Sequence, residues 1–302
     1  MRLGFFLPNI GQAGNSSTIL KIAKRAEELR YDSLWVTERL LYALKPQTSY
    51  YGGPLPEPYK RVLDPLGTLT FVAGLTSRIA LGTSVLDIPF YNPVLLARQL
   101  VTLDVLSGGR LRVGFGQGWS KDEYDAAGAS MKQRGQRADE FLKLLTTIWT
   151  SDPAEFHGKY FQLPQSIIQP KPIQKPHPPI YLAAFAPAAM KRTATFADGW
   201  MPVGLPVDTL KTMVEQIRTL VREAGRNPSD LKIITRYNLS ITPKPLGNDR
   251  QIFSGSIDQI AEDVKALKGF GPDELILDVT FSADSQSEEG FMMNLERLRR
   301  LV

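Results

Sequence analysis

The chain has 302 residues, 43% hydrophobic and 22% charged, and its net charge of +5 comes from dispersed lysines and arginines, with no concentrated basic face for nucleic acid. Zero cysteines exclude disulfides, thiolate metal sites and cysteine nucleophiles, and only two histidines, His157 and His177, leave no metal centre to expect. No apolar run is long enough to span a bilayer and no signal regions open the chain, so a cytoplasmic protein without membrane partners is expected.

The first strand is predicted at LGFFLP (3–8), followed by an amphipathic helix from about Thr18 in which Ile19, Ile22, Ala23, Ala26 and Leu29 recur at the helical period. SLWVTE (33–38) is the second strand, separated by a Pro/Tyr/Gly-rich loop from a helix over 63–76. IALGTSVL (79–86) is the third. Asn92-Pro93 then supplies an N-cap and a first-turn proline for a helix that ends at Ser107-Gly108-Gly109. LRVGFG (111–116) is the fourth strand, with its helix over 132–150, and the irregular stretch 151–178 reads as a hairpin or lid. PIYLAAF (179–185) precedes a helix over 187–197, and GWMPVG (199–204) one over 206–224. KIITRYNL (232–239) leads through a long loop to a helix over 256–268, which Ser256 and Gln259 open as a capping box. ELILDV (274–279) and a helix over 286–301 complete the order.

Eight β–α units of short apolar strands, with no break in composition, predict one α/β domain over residues 1–302, a (β/α)8 TIM barrel with loop insertions at its C-terminal mouth. GFGQGW (114–119) is then not a dinucleotide-binding turn. It follows the fourth strand rather than the first, and Trp119 stands at the third glycine position.

Barrel enzymes build their sites at the C-terminal strand ends. That rule selects Pro8 and Asn9, Glu38 and Arg39, Ser84 to Asp87, Gly116 to Tyr124, Ala184 to Pro187, Gly204, Arg236, Asn238 and Asp278, and puts Asp198 on the opposite, structural face. The mouth is rich in small and apolar residues, which suits a large planar ring carrying its own chemistry. The helix after AFAP offers free N–H groups to an anion. Other readings stand beside these: glycines required by packing, Trp119 and Phe185 as core contacts, and Glu38-Arg39 as an exposed ion pair.

LGTSVLDIPFYNPVLLARQLVTLDVLSGGRLRVGFGQGWSKDEYDAAG, with RGQRADEFLKLLTTIW, QPKPIQKPHPPIYLAA, PAAMKR and FADGW, resembles the luciferase-like monooxygenase superfamily. The resemblance implies a (β/α)8 barrel that uses FMN or the deazaflavin F420 for monooxygenation or hydride transfer. It places Thr83, Ser84 and Val85 under the isoalloxazine ring, with a cis peptide at Ser84–Val85. Gly116 and Gln117 would meet the ring edge or ribityl chain, at a strand end where missing side chains leave room for the ring. Trp119 and Tyr124 would shape the mouth. The Ala184-Phe185-Ala186 turn would hold the phosphate, and because it lacks the hydroxyl many relatives have, backbone N–H groups and Lys191 or Arg192 would have to serve. Where several relatives carry Asp-His, this chain has Glu38-Arg39 as its catalytic candidates, with Glu38 expected to orient Arg39 toward substrate rather than to transfer protons.

The resemblance also implies a homodimer through the second and third units, a small organic substrate and, with reduced FMN, a flavin reductase as partner. Two alternatives remain: a non-catalytic flavin-binding protein, and a hydrolase using Glu38 and Asp278 as a carboxylate pair. Loops 39–62 and 241–255 would select the substrate. Tyr50, Tyr51 and Tyr59 are read as lining a pocket, covering the dimer interface or packing the loop.

Overall fold

Residues 1–50 and 53–301 are described by a computed structural model, and Tyr51 lies outside them. The strands are β1 (Arg2–Phe6), β2 (Ser33–Val36), β3 (Ala80–Thr83), β4 (Leu86–Asp87), β5 (Leu111–Gly116), β6 (Ala154–His157), β7 (Gln162–Ser166), β8 (Ile180–Leu182), β9 (Gly199–Trp200), β10 (Lys232–Asn238), β11 (Ser240–Ile241), β12 (Ser254–Gly255) and β13 (Glu274–Asp278). The helices are α1 (Ser16–Glu28), α2 (Pro65–Ala73), α3 (Pro93–Leu106), α4 (Lys121–Ala126), α5 (Arg134–Thr150), α6 (Pro187–Phe196), α7 (Val207–Glu223), α8 (Ile257–Phe270) and α9 (Glu288–Arg299). Strands β1-β2-β3-β5-β8-β9-β10-β13 pair in parallel, and β13 returns to β1, closing the expected eight-stranded barrel.

Local chemistry sets the element ends. Asn92 Oδ1 accepts the N–H groups of Val94 (2.9 Å) and Leu95 (3.2 Å), starting α3. Ser256 and Gln259 form the expected capping box of α8, which stops at Gly271 in the left-handed region (φ 79°). At the N-terminal end of the barrel, the Asp198 carboxylate accepts the Ile180 N–H at 2.8 Å, the structural role read for it.

A plug of Phe6, Trp35, Tyr181, Met201, Ile234 and Ile276 fills the barrel interior, with Val85 packed on it. Trp35 fits because two of its neighbours lack side chains. A Cβ on Gly4 would lie 2.7 Å from Trp35 Nε1, and one on Gly82 only 2.3 Å from Trp35 Cε3. Beside the plug, fully buried Glu274 pairs with Arg112 (2.6 Å) and accepts from Trp35 Nε1 (3.2 Å), so its charge is compensated.

Two segments differ from the sequence reading, and the stretch 151–178 takes the hairpin form of the two read for it. The predicted strand 79–86 is broken at a cis Ser84–Val85 bond, as the resemblance implied, and resumes as β4 against Phe115 and Gly116 of β5. Helix α4 went unseen because six residues are too few to display a period; Ser120 caps it through the Glu123 N–H. Residues 154–166 form an antiparallel hairpin docked on α5, where Glu140 accepts the N–H groups of Lys159 (2.9 Å) and Tyr160 (2.7 Å).

Candidate active site

The floor of the mouth is built by the bulge between β3 and β4. The Thr83 hydroxyl both donates to the Gly114 carbonyl and accepts its N–H, each at 2.9 Å, so that side chain is committed to β5. The Ser84 N–H donates to the Val36 carbonyl (2.7 Å), and the Ser84 carbonyl accepts from Arg236 Nη1 (2.8 Å). Val85, partly exposed, caps the interior plug.

The glycines of GFGQGW do not leave open room here, which corrects the reading of them as space for a ring. A Cβ on Gly114 would stand 2.1 Å from the Thr83 carbonyl, and one on Gly116 would stand 2.6 Å from both Asp87 Oδ1 and Val85 Cγ2. Gly118 adopts φ +63° and donates its N–H to Asp87 Oδ1 at 2.8 Å. The motif thus lets the bulge and Asp87 close onto β5. Gly116→Ala is expected to lower stability by about 1–3 kcal/mol through this overpacking, read from urea unfolding.

Glu38 and Arg39 do not form the expected pair. One Glu38 oxygen accepts the Asp87 N–H at 2.8 Å, and the other accepts the Tyr91 hydroxyl. Burial pushes the Glu38 carboxyl from 4.5 up to about 8, with the negative charges of Asp87 and Glu123 adding to the effect against the two hydrogen bonds. Burial likewise raises Asp87 to about 6, reinforced by Glu123 and opposed by the Gly118 N–H and by Arg39 and Arg134. Glu38 is therefore largely protonated at neutral pH.

Arg39 turns the other way. Its guanidinium pairs with buried Glu123 (2.7 Å), lying 4.7 Å from the Trp119 ring centroid and 5.6 Å from that of Tyr59. Tyr50 packs on Trp119 and Tyr59, and Tyr59 on Phe281, so the two described loop tyrosines join loop packing that fastens the segment after β2 across the mouth. Arg39 is a tether whose charge Glu123 compensates, while its Nε has no hydrogen-bond partner in the protein. Tyr124 is fully buried and acts indirectly, packing on Phe90 and donating its hydroxyl to the Gln117 carbonyl.

On the far side of the mouth, buried Ala184 gives its carbonyl to Trp200 Nε1 (2.7 Å), while Phe185 is 46% exposed. Exposed Ala186 starts α6 with no side-chain cap, leaving the first N–H groups to an outside acceptor. Of the two cations expected to help, Lys191 is exposed, but Arg192 is held by Asp139 (2.5 Å) and the Gly135 carbonyl (2.7 Å). Asn9 is also structural, donating to the Thr37 (2.8 Å) and Leu63 (3.2 Å) carbonyls.

Buried Gln117 Nε2, Arg236 Nε and Thr280 Oγ1, each at or just past the C-terminal end of a barrel strand, have no hydrogen-bond partner in the protein. Such atoms are costly unless a ligand engages them. With the uncapped α6 start they fit a flat group that has a polar edge and an anionic tail. Asp278 is occupied otherwise, by Arg236 Nη2 (2.5 Å) and the Thr280 N–H (2.9 Å), which leaves nothing to support a hydrolytic pairing with Glu38.

The sequence profile of the luciferase-like monooxygenase family matches residues 1–246. An FMNH2-dependent dimethylsulfone monooxygenase of Pseudomonas putida is 32% identical over 184 residues, 60% of this chain and 49% of that protein. An F420-dependent glucose-6-phosphate dehydrogenase of Amycolatopsis mediterranei is 34% identical over 187 residues, 61% of this chain and 52% of that one. Among solved structures, a Streptomyces bottropensis monooxygenase superposes with a TM-score of 0.78 at 24% identity, over 99% of this chain and 98% of that one, a likeness of fold.

Proposed function

Because the chain belongs to the luciferase-like monooxygenase family, we propose that it is a flavin- or deazaflavin-dependent oxidoreductase acting on a small organic substrate by hydride transfer or monooxygenation. The observation that carries this reading is the set of unpartnered buried groups of Gln117, Arg236 and Thr280 near the C-terminal strand ends, with Arg236 bonded to the Ser84 carbonyl. Thr83, Ser84 and Val85 would lie beneath the ring, Gln117 would meet its polar edge, and the Ala184–Ala186 turn with the start of α6 would take its phosphate. When bound, such a group supplies two-electron chemistry, as a hydride or as reducing equivalents for dioxygen. The chain's own part is to fix the floor through Arg236 and to keep a proton on the Glu38 carboxyl beside Tyr91.

With this reading go cytoplasmic residence, a flavin reductase if reduced FMN is used, and a homodimer. Exposed Phe71 on α2 and Leu95 and Leu106 on α3 support pairing through those units. The test is fluorescence titration of the purified chain with FMN, reduced FMN and F420, followed by turnover assays with a reductase present. One of the three is expected to bind and to support turnover. Binding by none overturns the reading, and tight binding without turnover on a broad substrate panel turns it into one of a flavin carrier.

A further inference from the structure

We propose that a cleft beside the mouth, between the segment after β4 and the first turn of α5, binds the anionic group of a small organic molecule. The cleft has a volume of about 200 Å³, and its walls include Ile88, Pro89, Tyr91, Arg134, Arg137 and Phe161. Arg134 and Arg137 stand three residues apart on α5, and both line the same opening.

Among the described residues, neither arginine has a carboxylate within ion-pair distance, whereas nine other arginine contacts of that kind exist. Arg134 donates to the Gly118 carbonyl at 3.2 Å, and Arg137 lies over the rings of Tyr160 (5.2 Å) and Phe161 (5.4 Å). Arg134 also engages the Tyr124 side chain and the field of Asp87, so the uncommitted N–H donors are chiefly the five of Arg137. A carboxylate or phosphate would engage them with charge-assisted, bidentate bonds. Ile88, Pro89 and Phe161 supply an apolar wall that free inorganic phosphate would not use but an organic anion would. The cleft also touches the mouth, because Tyr91 lines it and donates its hydroxyl to Glu38.

This inference stands on the cleft alone and holds whether or not the mouth takes a flavin. The probes are 4-fluorobenzoate and neutral 4-fluorobenzyl alcohol, titrated into the intact chain and followed by fluorine NMR. The carboxylate is expected to bind at least about tenfold more tightly than the alcohol, and Arg137→Gln to remove that tenfold preference, about 1.4 kcal/mol. Arg137→Lys should restore part of it, because a point charge replaces the planar fork. Arg137 is exposed and makes no ion pair, so the variants are expected to unfold at the wild-type midpoint. Equal affinity for the two probes, or an Arg137→Gln variant indistinguishable from wild type toward 4-fluorobenzoate, overturns the proposal.

Parallel titrations with FMN and riboflavin separate two sources of the anion. An advantage of FMN over riboflavin that disappears in Arg137→Gln assigns the cleft to a cofactor phosphate. Undiminished 4-fluorobenzoate binding in saturating FMN assigns it to a substrate. Either result leaves the cleft an anion site.

Discussion

Glu38→Gln is expected to flatten the dependence of stability on pH above about pH 6, where the wild type should keep losing stability. The Glu38 carboxyl titrates near 4.5 when unfolded and at about 8 in the folded chain. Between those values the folded state holds a proton that the unfolded state has released, so stability falls as pH rises through the window and levels off above it. A displacement of that size corresponds to at most about 5 kcal/mol. Glutamine copies the protonated acid: its oxygen can accept the Asp87 N–H, and its amide can meet the Tyr91 hydroxyl, with no charge to bury at any pH. Asp87, raised to about 6, contributes in the same direction, so the variant should keep a smaller decline below that value. Thermal midpoints by circular dichroism at pH 5, 7 and 9 decide the matter. Parallel curves for variant and wild type would mean that Glu38 ionises without cost and that its burial is relieved in solution.

The barrel was legible because its signals are local. Apolar runs six to eight residues long, punctuated by Asn92-Pro93 and the Ser256–Gln259 box, each report on a neighbourhood of a few residues. The broken third strand came instead from the resemblance, since nothing in IALGTSVL itself marks the bulge. What stayed hidden depends on partners distant in the chain. Adjacent Glu38 and Arg39 invited a pairing, yet both lie past the end of β2, where strand geometry no longer fixes their directions. Each found a partner from another unit, Glu38 in Tyr91 and Arg39 in Glu123. A glycine does not announce whether its missing side chain is room for a ligand or for a neighbour. At Gly116 the space belongs to Val85 of the bulge and Asp87 of β4. Arg192 looked free for phosphate for the same reason, because its partner Asp139 sits on another helix.

Arg236→Met should be the most damaging single change near the mouth, costing about 3–5 kcal/mol, because it strands one member of a buried ion pair. Arg236 is 8% exposed and Asp278 fully buried, with 2.5 Å between guanidinium and carboxylate, and the guanidinium lies 4.1 Å from the Phe6 ring centroid. Methionine fills much of the same volume, so the loss would report the uncompensated Asp278 charge and the Ser84 carbonyl left without its donor rather than a cavity. Asp278→Asn removes the charge while keeping an acceptor for the Thr280 N–H. The double variant Arg236→Met with Asp278→Asn is therefore expected to be more stable than Arg236→Met alone, a coupling that urea unfolding of the four proteins measures. Strict additivity, or a single-variant cost below about 1 kcal/mol, would show that the pair is solvated and not a buried anchor. Flavin affinity should behave differently from stability. The Ser84 carbonyl has no donor in either Arg236 variant, so the floor on which the proposed ring would rest stays loosened after the charge is relieved. The double variant should then be more stable than Arg236→Met yet bind flavin as poorly, separating the anchor's contribution to folding from its contribution to the site.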